Sequence, residues 1–240
     1  YPIKLMKLLT NPTPKQVEAY LLAYSLICKM NIEINEPAIA VKRDKLIFPK
    51  GRFTETLTTP EIQYVLNHGK IHRIDKCALY KHDYIFRDYV TYFYNMRQEA
   101  KKKGDTVTNQ FAKLMLNSLY GKFAQKVREY IPIDYPAPIK WGSETFIDTE
   151  TGIRFKVIYI DGKAYMLEKT PKLFRDAMIS ISTHITAYAR MILWEYIKTA
   201  GLINVYYVDT DSLIVNKEGY ENLRFFIFQF YIRSSVRMMA

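Results

Sequence analysis

No apolar run in this 240-residue chain approaches the roughly 20 residues that a membrane-spanning helix needs; the nearest are Tyr20 to Cys28 and Phe225 to Ile232. A soluble protein is therefore expected. Cysteine is scarce: Cys28 and Cys77 lie too far apart for a metal-ligand or redox spacing, which predicts buried thiols in a reducing, intracellular setting. The four histidines, His68, His72, His82 and His184, show no zinc spacing; His68 and His72 are separated by Gly69 at an expected helix end and read as surface residues. There is no internal repeat, no low-complexity tract and no signal-peptide pattern, and the opening Tyr1-Pro2 suggests a fragment. Acids are also in deficit, with 24 Asp and Glu against 35 Lys and Arg, a net charge of +11. That balance points to an anionic partner, nucleic acid or an anionic membrane surface, and the missing span counts against the membrane.

What is present suffices for a core. Hydrophobic residues make up 49% of the chain, enough for one sizeable domain or a domain with a subdomain, and exclude a disordered protein. The 20 tyrosines, interleaved with Lys and Arg, suit base stacking with phosphate contacts, and equally suit ordinary packing at the core edge.

Along the chain, residues 1 to 14 carry three prolines and read as a connecting segment. Lys15 to Met30 fits a buried helix or a long strand by periodicity alone. Ala38 to Thr54 reads as two strands separated by the polar Lys42 to Lys45, and Thr59-Pro60-Glu61 opens a helix with Thr59 as N-cap and Gly69 as stop. Asp83 to Lys103 has a helical apolar period ending at Gly104, and Asp105 starts a second helix after a connection that permits only an antiparallel partner. The turn signals Glu150-Thr151-Gly152 and Asp161-Gly162 predict a three-stranded meander, and Asp176 to Ala200 a helix packed on a sheet, stopped by Gly201. Residues 223 to 240 fit no regular pattern and suggest a truncated or frame-altered end.

Two constellations carry chemistry. In NVYYVDTDSLIVN, Asn204 to Asn216, two acids lie two residues apart between β-forming runs, so Asp209 and Asp211 share a side at the tip of a tight hairpin. Magnesium is usually held by one or two carboxylates plus substrate phosphates, which makes such a pair sufficient for a phosphate-dependent site; a merely solvated acidic turn is the plain alternative. A full two-metal arrangement needs a further carboxylate from elsewhere. On the second helix of the helical pair, Lys113, Asn117, Tyr120 and Gly121 fall on one face, placing a cation for a triphosphate beside a ring and a gap that suit a base.

KLMLNSLYGKFA at 113 to 124 resembles the fingers-helix motif of family B DNA polymerases, and YVDTDS at 207 to 212 resembles the palm motif bearing catalytic aspartates, in the expected order. THITAYAR at 183 to 190 and PKGRF at 49 to 53 are most similar to the protein-primed branch found in bacteriophages, adenoviruses and linear mitochondrial plasmids. The resemblance runs from about Ile39 to Asn216. It implies an α+β fold: an antiparallel palm sheet with packed helices and an antiparallel two-helix fingers subdomain. Residues 1-82 would be palm-associated, 83-126 the fingers, and 127-240 the palm with a β-hairpin insertion and the acidic hairpin. It further implies Asp209 and Asp211 as catalytic ligands of two Mg2+ ions, with Asp209 the preferred ligand of both. Lys113, with Arg97 or Lys101, would meet the triphosphate, and Asn117, Tyr120 and Tyr207 would shape the nucleotide pocket. Gly121, Lys122, Thr210 and Ser212 would contact DNA. The implied partners are a DNA template-primer, dNTPs and a terminal protein primer, in a mitochondrial or viral setting and without a membrane.

The chain departs from that pattern. The family's Asp followed by Ser-Leu-Tyr-Pro is absent, so the chain is expected to begin just after it, without the third catalytic carboxylate; the later Lys-x-Tyr motif is absent too. Asp148-Thr149-Glu150 mimics an exonuclease signature, but its place in an expected hairpin turn makes it a coincidence. The expected activity is template-directed transfer of dNTPs to a 3′-hydroxyl, close to nil in these 240 residues alone. A non-catalytic nucleic-acid-binding remnant is the alternative. Acids two residues apart on one strand are badly placed to flank a glycosidic bond, which disfavours a hydrolase.

Overall fold

The computed structural model describes residues 1–127, 129–152, 154–167, 172–173, 177–210 and 212–224. They form two compact units, Tyr1–Ala112 with Ser180–Ala240, and Lys113–Ile179.

The first unit grows from one alternating strand. In β2 (Ser25–Ile34, after β1, Pro2–Thr10, and helix α1, Pro14–Leu21), Leu26, Cys28, Met30, Ile32 and Ile34 are buried at every second position. A period of two puts these side chains on one face, and helices must cover it. A short antiparallel pair follows, β3 (Val41–Lys42) and β4 (Leu46–Ile47), then β5 (Gly51–Thr58), α2 (Thr59–His68) and β6 (Gly69–His82). The main sheet is antiparallel in the order β1-β6-β2-β5. Its covering face includes Val17 of α1, Ile62 and Val65 of α2, and Met191 and Trp194 of the long α5 (Ile179–Ala200).

Helices α3 (Arg87–Lys103) and α4 (Thr106–Lys122) follow β6. Gly104 ends α3 with φ +71°, a left-handed C-cap that glycine adopts without penalty, and Asp105 Oδ1 accepts from Thr108 N to begin α4. Phe93 meets Phe111, and Arg97 Nε donates to Asn109 Oδ1 at 3.3 Å, so the chain doubles back as an antiparallel helical pair there.

The second unit holds the rest of α4 and an antiparallel sheet. Strands β7 (Lys126–Val127) and β12 (Lys172–Leu173) pair, and β8 (Tyr130–Ile133), β9 (Gly142–Ile147), β10 (Arg154–Ile160) and β11 (Lys163–Leu167) form a sheet in the order β8-β11-β10-β9. The β10–β11 turn places Asp161 at φ +48° and Gly162 at φ +70°, the two left-handed positions that a two-residue hairpin demands. Val157, Tyr159 and Ala164 form a small core.

Several expectations need correcting. Residues 2–10 are a strand, not a connector: β1 pairs along β6 at the sheet edge, where Pro2 as first residue costs no ladder bond. The ambiguous Lys15–Met30 is half helix and half strand, because Thr13 and Gln16 form a reciprocal capping box and Pro14 pre-sets the first turn. The N-cap of α2 is Thr58, whose N and Oγ1 both donate to Glu61 Oε2. The meander has a fourth strand, β8. Cys28 and Cys77 are buried as expected, but not as separate thiols: they stand directly opposite on β2 and β6, Cα atoms 4.0 Å apart, and are joined as a disulfide. Residues 225–240, including most of the irregular end, lie outside the described residues.

Candidate functional site

After Gly201, a 3-10 turn (Leu202–Asn204) leads from α5 into β13 (Val205–Asp209), which pairs antiparallel with β14 (Ser212–Val215). The acidic segment is thus the tight hairpin that its sequence predicts. Asp209 pairs with Ser212 across the tip. Thr210 adopts φ +47°, its Oγ1 donates to Asp209 Oδ1 at 3.0 Å, and Ser212 Oγ donates to Asp209 O at 3.0 Å. The two hydroxyls expected at DNA therefore also build the turn around Asp209. Asp209 is exposed, as is Tyr207, and Asp211 lies outside the described residues.

The donor set decides which metal environment fits. Among the described residues no group of three or more His, Cys, Asp and Glu is placed to hold an ion by itself. An exposed carboxylate at a hairpin tip fits instead a magnesium ion shared with phosphate oxygens, the usual manner in which that ion is held.

On α4, Lys113, Asn117, Tyr120, Gly121 and Lys122 are all exposed, while Ala112, Met115, Leu116 and Leu119 turn inward. The solvated face is thus the one carrying the cation, amide and ring. A Cβ on Gly121 would meet nothing within 4 Å, so no contact within the described chain requires glycine there. Lys122 Nζ donates to Gln125 Oε1 at 2.7 Å. In the other unit Lys101 is exposed on the last turn of α3, while Arg97 is partly buried and engaged with Asn109.

Behind the hairpin, Val208 shares a hollow of about 260 Å³ with Phe48, Arg190 and Trp194. Helix α5, which delivers the hairpin, is anchored by polar contacts that its sequence does not announce. Arg190 Nη2 pairs with Glu61 Oε1 at 3.0 Å. Trp194 Nε1 donates to Tyr64 Oη at 2.6 Å, and Tyr64 Oη donates in turn to Glu36, whose carboxyl this bond holds below the ordinary carboxylate range. His184 is buried. Its Nδ1 faces Ser180 O at 2.7 Å, and because a carbonyl can only accept, Nδ1 carries the proton and Nε2, 3.1 Å from Thr59 Oγ1, is the acceptor. Burial lowers its pKa, which agrees with that neutral tautomer. His184 also lines a cleft of about 600 Å³ with Tyr24, Gln63 and Tyr188.

The fold has solved counterparts. Phi29 DNA polymerase, in a complex with primer-template DNA and incoming nucleotide, superposes with a TM-score of 0.58 over 90% of this chain and 35% of that one at 20% identity, a likeness of fold. Residues 14–201 match the family of DNA polymerases type B, organellar and viral, and the chain belongs to it. Curated relatives include a probable DNA polymerase of Podospora anserina, 27% identical over 77% of this chain, and the DNA-directed DNA polymerase of Enterobacteria phage PRD1, 30% identical over 60%. The chain spans 17% of the first and 25% of the second.

Proposed function

We propose that the chain is the palm and fingers portion of a template-directed DNA polymerase of the protein-primed type, joining dNTPs to a 3′-hydroxyl on a DNA template. The observation that carries this reading is the exposed Asp209 at the tip of the β13–β14 hairpin in a member of this family. Residues 83-126 serve as fingers, and 1-82 with 127-240 as palm and its associated segments. Asp209 and Asp211 hold two Mg2+ ions, which when bound neutralise charge on the transferring phosphate and acidify the attacking hydroxyl. Lys113, supplemented by Arg97 or Lys101, binds the triphosphate. Tyr120 and Asn117 bound the nascent base pair, Tyr207 sits at the primer terminus, and Gly121, Lys122, Thr210 and Ser212 meet DNA. A terminal protein supplies the priming hydroxyl in this branch.

The 240 residues lack the family's Asp-x-x-Ser-Leu-Tyr-Pro motif, so Asp209 and Asp211 would be part of a larger metal cage and the chain alone should extend primers very poorly. Each 1.4 kcal/mol of lost transition-state stabilisation costs about tenfold in rate. Vigorous primer extension by this chain would refute that. The direct test is a dNTP titration with and without saturating Mg2+: the wild type should bind more tightly with Mg2+, and Asp209→Asn should lose that increment. Binding that ignores Mg2+ yet falls steeply with salt would favour a non-catalytic nucleic-acid-binding remnant.

A further inference from the structure

A two-stranded hairpin is marginally stable by itself, so something must fix the β13–β14 tip that carries Asp209. The hairpin also carries an irregularity: Val205 faces Val215, but the next pair is Tyr207 with Ile214, leaving Tyr206 as an extra residue. Register matters beyond such a bulge, because a one-residue slip turns every later side chain to the opposite side.

The base of the hairpin holds a polar cluster, built around the buried Asn204, that opposes both problems. Asn204 is 5% exposed. Its Nδ2 donates to Ala200 O at the end of α5 at 2.8 Å, and its Oδ1 accepts from Asn216 Nδ2 at 2.8 Å. Asn216 N donates to Asn204 O at 3.0 Å, adding a main-chain rung below Val205–Val215. Asn216 Oδ1 accepts from Gly219 N at 2.8 Å, so the same side chain caps the helical residues 217–224. The surroundings leave no slack: a Cβ on Gly219 would lie 3.0 Å from Asn204 Cβ, and one on Gly201 3.1 Å from Asn204 Nδ2.

We propose that Asn204, buried, and Asn216, half-buried, are positioning residues, a clamp that locks hairpin register to the end of α5 and thereby aims Asp209. The inference rests on the metal role of Asp209 given above. Four residues lie between Asn204 and Asp209, five steps or about 16 Å of strand, so the clamp touches no ligand and acts only through the hairpin. Amides bonded on both sides, one of them buried, specify one arrangement, since any shift leaves the Asn204 amide short of partners.

The test uses N216S and N216D. Ser and Asp both keep an acceptor for Gly219 N and so preserve the helix cap; Asp has no proton to donate to Asn204 Oδ1, and the single Ser hydroxyl, one bond closer to the backbone than Asn216 Nδ2, cannot hold Gly219 N and also reach Asn204 Oδ1. Two signals are read: hydrogen exchange at the Tyr207, Val208, Leu213 and Ile214 amides with β2 amides as reference, and broadening of the Asp209 and Thr210 amide resonances by Mn2+. The clamp requires at least a tenfold loss of hairpin protection with β2 unchanged, and a several-fold higher Mn2+ midpoint in both variants. Unchanged hairpin exchange overturns it, and lost protection with an unchanged Mn2+ midpoint reduces the pair to a structural role and overturns it equally. Absence of Mn2+ broadening at Asp209 in the wild type would instead defeat the metal reading, and exchange alone would then decide the clamp.

Discussion

Replacing Glu61 with alanine should cost the first unit about 3 kcal/mol. Glu61 is 4% exposed and accepts from Thr58 N, Thr58 Oγ1 and Arg190 Nη2 at 2.9, 2.8 and 3.0 Å. Breaking a buried ion pair from one side costs roughly 3–5 kcal/mol, but the Arg190 side chain is 33% exposed, and water recovers part of that. Among the described residues Arg190 Nε has no partner, so losing Glu61 leaves the guanidinium with one orphan nitrogen already in place. Stranding the Thr58 N–H adds about 1–3 kcal/mol. About 3 kcal/mol is a conservative combination, and at a urea slope of about 2–3 kcal/mol/M it lowers the midpoint by about 1–1.5 M. Trp194 fluorescence is the probe: it is 6% exposed in the same unit, whereas Trp141 is already 81% exposed and will respond little. E61Q keeps acceptors for the cap and should lose less, and adding R190M should recover part of the loss by removing the stranded charge. An E61A midpoint within about 0.2 M of wild type would refute the reasoning, since that is well under 1 kcal/mol at this slope.

Three further outcomes are expected. Because burial depresses His184, the unfolded chain takes up a proton below about pH 6.5 that the folded chain resists. Stability should therefore be flat above that pH and fall below it, by at most about 1.4 kcal/mol per pH unit; unfolding midpoints at several pH values, with H184Q flattening the profile, check it. Gly201→Ala should destabilise by about 1–2 kcal/mol, since φ is +87° and the new methyl would press on Asn204 Nδ2, measurable by thermal unfolding. Thr13→Ala should cost about 1 kcal/mol through the lost capping box of α1, read in the same way.

The elements that could be read in advance are those with local causes. The helical pair α3–α4 follows from its period and the Gly104-Asp105 boundary, and the β10–β11 turn from Asp161-Gly162. The acidic hairpin follows from two β runs around a polar break. Non-local partnerships escaped. Strand β1 looks like a connector until β6 lies beside it, and β6 is hard to see because register shifts near Lys29 and Asn31 break its alternation. The partnership of Cys28 with Cys77 depends on strand register, which spacing in sequence does not encode. Among the residues proposed for the site, the carboxylates and the α4 face draw notice by type and spacing. Asn204 and Asn216 do not, although the acidic segment begins and ends with asparagine. Glu61 and Arg190 are likewise silent, being 129 residues apart.

The order β1-β6-β2-β5 also has a consequence in time. During synthesis β2 and β5 can pair as soon as residue 58 is available, but β1 has no neighbour until β6 is made, about two dozen residues later. At about 5–20 residues per second, that is a wait of about 1–5 s during which one edge of β2 stands open. The open edge belongs to the strand with the most deeply buried side of the unit, so it is the place where a second nascent chain would pair in error. A chaperone bound to this protein should be released as β6 enters the gap between β1 and β2, the event that closes the sheet.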